Sequence, residues 1–363
     1  METIAIIVAL FLILRFVVTF TNFISRPLLN KTSNHHNELV SILIPLRNEE
    51  KNIPHLVENL KKLNYKNYEV ICCDDQSEDR TFELLDKARH DFPNLTVFQG
   101  DDLPEGWLGK NWACHQLSSQ AQGEYLLFID ADISMHPNVI NAGIDEMKTK
   151  KLALLSIFPD QQMLTLGEKV IVPIMHYILL NLLPLRLVYT TRYPSLSAAN
   201  GQFMMFSHSC YHEWHQKVKT KITEDIEIMK LVKRHGLAGE VLLGGGIVNC
   251  RMYNNFKEGI SGFTKNILSG FGQSYWLLFL FLILIFFGYI PVILTFNLEL
   301  LTGMAFLIIT NRVMISLLSH QKVMHNIVLH PAQILMLNLI AIRSVSFNML
   351  KILTWKGRNI NLK

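Results

Sequence analysis

The sequence predicts an α/β protein in which a Rossmann-like, mostly parallel sheet over residues 37–272 is carried between apolar helices at the two ends of the chain. Three observations predict it. Half of the 363 residues are hydrophobic, and the excess is concentrated in residues 3–23 and beyond residue 275. Between residues 37 and 132, short apolar runs alternate with helix-forming ones, the pattern of βαβ units and a parallel sheet. Acidic residues recur where the strand-like runs end, and sheets of this kind bind ligands beyond the carboxyl ends of their strands.

The chain opens on an anchor. Residues 3–20, TIAIIVALFLILRFVVTF, are apolar apart from threonines and Arg15. A secretory signal would begin with basic residues and end in small ones, whereas Glu2 comes first and Phe20-Thr21-Asn22-Phe23 follow. An uncleaved transmembrane anchor over residues 1–24 is therefore expected. Arg15 is off-centre and long enough to snorkel, so its cost should fall below the ~2.5–3.5 kcal/mol of a charge at mid-bilayer.

The central elements follow in order. LVSILIP (39–45) reads as a buried strand, and residues 48–63 as a helix with Glu49 and Glu50 in its first turn. YEVICC (68–73) is a second strand and 79–90 a second helix; LTVFQ (95–99), a helix over 111–121 and EYLLFI (124–129) complete the series. The first strand ends in Pro45-Leu46-Arg47-Asn48-Glu49, the second in Asp74-Asp75 and the fourth in Asp130-Ala131-Asp132. Neither G-x-G-x-x-G nor G-K-[ST] follows the first strand, so dinucleotide and P-loop binding are unsupported. A lone D-x-D is most often a solvated turn. Carboxylates at i and i+2 can also share one hard cation and leave its other positions to phosphate, and here acids stand at two strand ends.

Further along, Thr223-Glu224-Asp225 opens a helix whose stripe is Ile222, Ile226, Met229 and Val232 and whose stop is Gly236. An N-cap with acids in the first turn, each worth ~0.3–1 kcal/mol, accounts for the motif and still leaves Asp225 free to act as a base. Residues 170–189 are apolar but hold Pro173, Pro184, His176, Asn181 and Arg186, so 163–190 reads as a kinked surface segment in a headgroup layer. Residues 275–296 form the strongest span, 298–318 and 326–350 weaker ones. With a cytosolic central domain, three C-terminal spans within 275–350 would export the basic tail 351–363, against the positive-inside tendency. Two to three C-terminal membrane helices are expected, one of the last two being re-entrant or interfacial.

Several features read as decoys. His208, His212 and His215 could imitate a zinc site, but the segment is polar all round and reads as a surface helix. Gly244-Gly245-Gly246 reads as a bend. Trp107 and Trp112, beside Lys110, read as a loop that closes over a ligand. Five cysteines without a C-x-x-C pair read as buried thiols in a reducing compartment. A net charge of +4 without a basic block gives no case for nucleic-acid binding.

The motifs together resemble membrane-bound family 2 glycosyltransferases of the GT-A fold, and within them the carotenoid- and hopanoid-associated branch. The carriers are IPLRNEE (44–50), CCDDQSED (72–79), GWLGKNWACHQ (106–116), FIDADI (128–133), TED (223–225), CRMYNNFKEGISGFTKNILSGFG (250–272) and WKGRNI (355–360). The resemblance implies that Pro45, Arg47 and Glu49 border a nucleotide and that Asp74 and Asp75 receive its uracil or ribose. Lys110 then reaches the nucleotide or diphosphate, Asp130 lies against the ribose, Asp132 holds a divalent metal (Mg2+ or Mn2+), and Asp225 is the general base. Gln76 stands where the family usually has glycine. The Q/R-x-x-R-W element of processive and ceramide-type relatives is absent; Phe263-Thr264-Lys265-Asn266 stands there, and Lys265 is assigned to the diphosphate in its place.

What the resemblance implies is an inverting hexosyltransferase, multi-pass in the cell membrane with its catalytic domain in the cytoplasm. It would move a sugar, glucose first, from a UDP-sugar to a membrane lipid acceptor such as a carotenoid acid or related polyisoprenoid. Its partners would be that donor, that acceptor and the bilayer. The alternatives are a ceramide-type or polyprenyl-phosphate transferase and, from another class, a nucleotide-sensing membrane scaffold or transporter.

Overall fold

The computed structural model describes residues 2–356, 358 and 359, and the chain divides into two compact units. The sheet unit comprises Pro27–Asp160, Arg186–Cys250 and Trp355–Lys363; the helical unit comprises Met1–Arg26, Gln161–Leu185 and Arg251–Thr354.

In the sheet unit seven strands run in chain order as β1 (Val40–Leu46), β2 (Tyr68–Asp74), β3 (Leu95–Gln99), β4 (Tyr125–Ile129), β5 (Leu154–Phe158), β6 (Phe203–Ser207) and β7 (Gly239–Leu243). Their order in the sheet is β3-β2-β1-β4-β6-β5-β7. The first four are parallel, as the alternation of apolar runs implies. One strand departs from that expectation: β6 inserts antiparallel to both β4 and β5. Because β1, β4 and β5 are buried on both faces, their sequences are mainly apolar, with the buried Ser41 and Ser156 both hydrogen-bonded. Register then sets the edge of the site. Leu46 pairs with Asp74 and Ile129 with Phe203, which brings Arg47 beside Asp75 and Asp130 beside Gln202.

Two helix starts differ from the sequence expectation. The first helix is Ile53–Lys61, not 48–63, so Glu49 and Glu50 precede it. Asn48 takes a left-handed φ of 52°, and the amides of Glu49 and Glu50 donate to Thr81 Oγ1 (2.7 Å) and Asp79 Oδ2 (3.1 Å). Those amides are spent on side chains, and Pro54 suits the first turn that follows. The third helix, Gly109–Gln120, starts two residues before 111, so Lys110 lies in its first turn rather than in a loop.

The histidine segment is not polar all round. It forms a 3₁₀ turn His208–Cys210 and a short helix Trp214–Lys217, in which Trp214 and His215 are buried. Tyr211 Oη lies 2.7 Å from His215 Nδ1, and Trp214 Nε1 donates to the Cys210 carbonyl. Among the described residues no group of three His, Cys, Asp or Glu side chains could hold a metal ion by itself. Gly245 and Gly246, with φ of 57° and 77°, make the expected bend between β7 and a short strand Val248–Cys250.

Among the described residues the helical unit has four helices long and apolar enough to cross a membrane: Thr3–Ser25, Tyr275–Leu294, Leu298–Leu318 and His330–Met349. The second is broken at Phe287-Gly288 into Tyr275–Phe286 and Tyr289–Leu294. The prolines of 163–190 divide it as expected, Pro173 opening the helix Pro173–Leu182. That helix is interior to the unit rather than a surface segment: Ile174, His176, Tyr177, Leu180 and Asn181 are buried, and Thr19 and Asn22 donate to its Leu180 carbonyl. Arg15 does not snorkel. It is 3% exposed and donates through Nη2 to the Tyr177 hydroxyl.

Candidate functional site

Nine of the ten residues singled out in the sequence belong to the sheet unit, at or just beyond the carboxyl ends of β1, β2 and β4 or at the starts of the Gly109–Gln120 and Glu224–Arg234 helices. Lys265 is the tenth. It lies in the Phe256–Gly270 helix of the helical unit.

At the β1–β2 end, Arg47 is buried and its guanidinium is taken up by the neighbouring turn. Nη1 donates to the carbonyls of Asp75 (2.7 Å) and Gln76 (2.6 Å), and Nη2 to Glu78 Oε1 (3.0 Å). Arg47 thus shapes the Asp74–Ser77 turn. Gln76 keeps a left-handed φ of 55°, the conformation a glycine would adopt, and its amide donates to the Asp74 carbonyl; the departure from the family pattern leaves the turn intact. Asp74 is buried with Oδ2 accepting from the Ser77 amide and Oδ1 unpartnered among the described residues. Pro45 is in β1 opposite Cys73.

The basic tail returns to this same end. Arg358 donates through Nη1 to Asp75 Oδ2 (2.7 Å) and through Nη2 to Gln76 Oε1 (3.0 Å). Lys356 pairs with Glu49, and Arg47 Nε donates to the Lys356 carbonyl. Burial pushes the Asp75 carboxyl above its ordinary range, with Arg358 and Arg47 pulling the other way.

At the β4 end, Lys110 Nζ is 2.8 Å from Asp130 Oδ1 and 3.4 Å from Glu224 Oε1. Burial opposes the charge of Lys110, but the two carboxylates outweigh it and hold the ammonium well above its usual range. The segment entering β6 joins the rest. Gly201 N donates to Asp225 Oδ2 (2.9 Å), while Gln202 Nε2 reaches both oxygens of Asp132 (3.3 and 3.2 Å). A Cβ on Gly201 would stand 3.1 Å from Glu224 Oε1 and 3.2 Å from Lys110 Nζ, so a side chain there would crowd both groups. Asp225 also accepts from the Ile226 amide (2.8 Å), and Thr223 sits at the N-cap position without a side-chain cap bond.

Both acids are hard to ionise here. Enclosure in protein, followed by the charge of Asp130, pushes Asp132 up to about 6. Enclosure, followed by Glu224, pushes Asp225 up to about 7. The Trp107 and Trp112 rings are 5.0 Å apart, with Trp107 buried; Leu108 N donates to the Lys219 carbonyl and Asn111 Nδ2 to those of Val218 and Lys221. The GWLGK segment is therefore pinned rather than open in this structure.

The donor set suits a hard cation that takes one or two protein carboxylates and completes its shell with phosphate oxygens. Asp130 and Asp132 crowd like charge where enclosure already opposes it, and a divalent ion would relieve both.

Residues 41–214 match the family model described as Glycosyl transferase family 2. Over these residues the chain is similar to family 2 glycosyltransferases. The matched segment holds Arg47 to Asp132 and Gly201-Gln202, and the match ends before Asp225. Among curated proteins, the chain is 29% identical over 252 residues to a 4,4'-diaponeurosporenoate glycosyltransferase of Staphylococcus haemolyticus (strain JCSC1435), covering 66% of this chain and 64% of that one. It is 30% identical over 131 residues to the protein of that name from Staphylococcus aureus (strain USA300), covering 36% and 34%. The matches thus span less than two thirds of either relative. Among solved structures, a mannosyltransferase from Pyrobaculum calidifontis in complex with GDP-Man and Mn2+ superposes over 95% of this chain and 98% of its own, with a TM-score of 0.58 at 12% identity. The chain accordingly has the GT-A fold, with a mostly parallel seven-stranded sheet.

Sequence reasoning missed Gly201, Gln202, Glu224 as a partner of Lys110, and the tail cations as partners of Glu49 and Asp75. SAANGQF carries no chemical motif, and its role comes only from β6 running back antiparallel beside β4. The tail motif WKGR carries two cations, and their charge was the available signal.

Proposed function

We propose that the chain is an inverting glycosyltransferase that moves a sugar from a UDP-sugar, glucose first, to an apolar lipid acceptor in the membrane. The observation that carries this reading is the convergence on Asn200–Gln202: one segment holds Asp132 through Gln202 and Asp225 through Gly201, with Lys110 against the same glycine. A cation, two acids with raised proton affinity and a nearby second carboxylate pair are what displacement of a nucleoside diphosphate calls for.

In this reading Asp74 and Asp75 take the nucleoside, Arg47 fixes the turn they stand on, and Pro45 and Glu49 border it. Asp130 faces the ribose, and Lys110 offsets charge on the departing diphosphate. Asp132, with Asp130, would hold Mg2+ or Mn2+. Such an ion, when bound, screens the diphosphate's negative charge. Asp225 accepts the acceptor's proton as its oxygen attacks the anomeric carbon from the face opposite the leaving group. With its affinity raised toward neutrality, Asp225 is a far better base than a free aspartate at ~3.9, although transfer must still be concerted with attack. Lys265 in the helical unit is a further candidate cation for the diphosphate. The relatives' name supports an acceptor of the carotenoid-acid kind, and the four apolar helices support a multi-pass placement, in which the sheet unit would face the cytoplasm.

The reading is tested by incubating membranes that contain the protein with radiolabelled UDP-glucose and other UDP- and GDP-sugars, then counting label in organic-extractable lipid. Transfer from a UDP-sugar is expected. Nucleotide binding without transfer from any donor would favour a sensing scaffold, and transfer only from a GDP-sugar would correct the donor.

A further inference from the structure

Three helices of the helical unit meet at a small cavity. Leu12 and Arg15 come to it from the Glu2–Ser25 helix, Tyr177 from Pro173–Leu182, and Leu307, Ile308 and Asn311 from Leu298–Leu318. Arg15 is 3% exposed. Its Nη2 donates to the Tyr177 hydroxyl, while Nε and Nη1 are buried and meet no acceptor among the described residues. The Tyr177 hydroxyl, having accepted that bond, keeps its own O–H to give. Asn311 is buried too. Its side-chain carbonyl is turned to Thr19 Oγ1 (3.4 Å), and its amide gives one hydrogen to Asn181 Oδ1 (2.8 Å), which leaves one N–H unused. The polar lining is thus rich in donors and poor in acceptors.

Charge points the same way. Arg312 does not line the cavity, but its guanidinium lies 4.5 Å from the centroid of the Tyr177 ring that the Arg15 guanidinium approaches to 4.9 Å. Two buried cations therefore share one ring, and no carboxylate of the unit answers them. Among its described side chains, Glu168 pairs with Arg251 (3.0 Å), Glu258 accepts from the Asn254 amide and Asn255 Nδ2 at its helix start, and Glu299 is exposed. Ring faces soften a buried cation, but they accept no N–H bond in the plane of the guanidinium. Cations held among apolar helices call for a counter-charge. A water in the cavity would supply none, and its own hydrogens would face donors. Size decides the rest. The cavity is about as large as one water molecule, too small for a carboxylate, a phosphate or a lipid headgroup, and right for a monatomic anion. The aliphatic walls of Leu12, Leu307 and Ile308 suit a weakly hydrated halide.

We propose that Arg15, Tyr177 and Asn311 frame a chloride site, which brings a counter-charge into the helical unit and ties its first helix to the other two. None of these side chains is assigned to the sugar donor, the metal, the base or the lipid acceptor, so the site stands whether or not the chain transfers sugar.

Thermal unfolding of the full chain in neutral detergent, in sodium chloride against sodium gluconate at equal ionic strength, tests it without any transferase assay. Chloride should raise the unfolding temperature saturably by about 3 °C or more, and bromide should do the same. Gluconate and sulfate, too large for the cavity, should not. Arg15→Gln should remove the chloride dependence. A second measurement needs no variant: the wild type should broaden the chlorine NMR line, and added bromide, but not gluconate, should narrow it again. Equal unfolding temperatures in chloride and gluconate would overturn the proposal, and so would the absence of bromide-sensitive broadening. A rise in sulfate as large as in chloride would show general salt screening instead of a site. An undiminished chloride effect in Arg15→Gln would place the ion elsewhere; either outcome removes the proposal.

Discussion

Arg358 reaches back 283 positions to set its Nη1 2.7 Å from Oδ2 of Asp75 at the carboxyl end of β2. Gly109 makes room for the pair, since a Cβ there would stand 2.6 Å from Asp75 Oδ2 and would also run into the Arg358 guanidinium. With Lys356 on Glu49, the tail thus brings two cations to the acids proposed to border the nucleotide.

Removing that cation should be felt by the donor. Arg358→Gln is expected to raise the KM for the UDP-sugar roughly tenfold with kcat little changed, the loss of one charge-assisted contact. A KM that falls instead would show the tail to be a plug that the donor must displace, and steady-state kinetics on membranes distinguish the two.

Gly201→Ala tests the convergence of the acids. Its methyl would press on Glu224 Oε1 at 3.1 Å and Lys110 Nζ at 3.2 Å, displacing the lysine from the position it holds between Asp130 and Glu224. We expect kcat to drop by about tenfold or more while thermal unfolding stays close to wild type. Unchanged kcat would mean that the Lys110–Glu224 contact need not be held in place.

For the metal, Asp132→Asn should abolish transfer, and chelation of the wild type should do so reversibly on readdition of Mg2+ or Mn2+. Full activity in excess chelator would remove the proposed role of Asp132, whatever the variant does.

Asp225→Asn separates two kinds of acceptor. A hydroxyl must lose its proton, so the variant should be slower by ~10²–10⁴. A carboxylate is already ionised at neutral pH and should lose far less. Equal, severe losses on a hydroxyl and a carboxyl acceptor of one chain length would make Asp225 a positioning residue.

The same side chain should shape stability against pH. Its carboxyl holds a proton up to about 7 in the folded chain and from 3.8 when exposed, so folding retains a proton the unfolded chain has released. The associated stability is complete below pH 3.8 and is lost as pH rises toward 7. Asp225→Asn, neutral throughout, should therefore unfold at a higher temperature than wild type at pH 8, on the order of 1–3 kcal/mol, and alongside it at pH 4. A gap at pH 4 that vanishes at pH 8 would reverse the sign and sink the argument.

What could be read from the sequence divides by the range of the interaction. β1 was legible because burial on both faces demands a mainly apolar run, broken only by the hydrogen-bonded Ser41, and Asp130-Ala131-Asp132 because a strand end exposes both acids to one crevice. The start of the Ile53–Lys61 helix was misplaced because the amides of Glu49 and Glu50 are satisfied from thirty residues away, by Asp79 and Thr81. Trp214 and His215 looked like surface residues because a four-residue helix has too few turns to display a buried stripe. Gly201 and Gln202 were silent, since their meaning depends on a strand that enters the sheet out of sequence order.

Residues 355, 356, 358 and 359 share the sheet unit with Pro27–Asp160 and Arg186–Cys250. Under the multi-pass placement proposed above, a chain that leaves that unit at Cys250 and rejoins it at Trp355 would finish on the side of the bilayer from which it departed, and so would cross an even number of times. Of the three helices in that interval that are, among the described residues, long and apolar enough to cross, two would then traverse and one would turn back or lie along the surface. Even parity would also return Lys356 and Arg358 to the leaflet of the sheet unit, in keeping with the contact between Arg358 and Asp75.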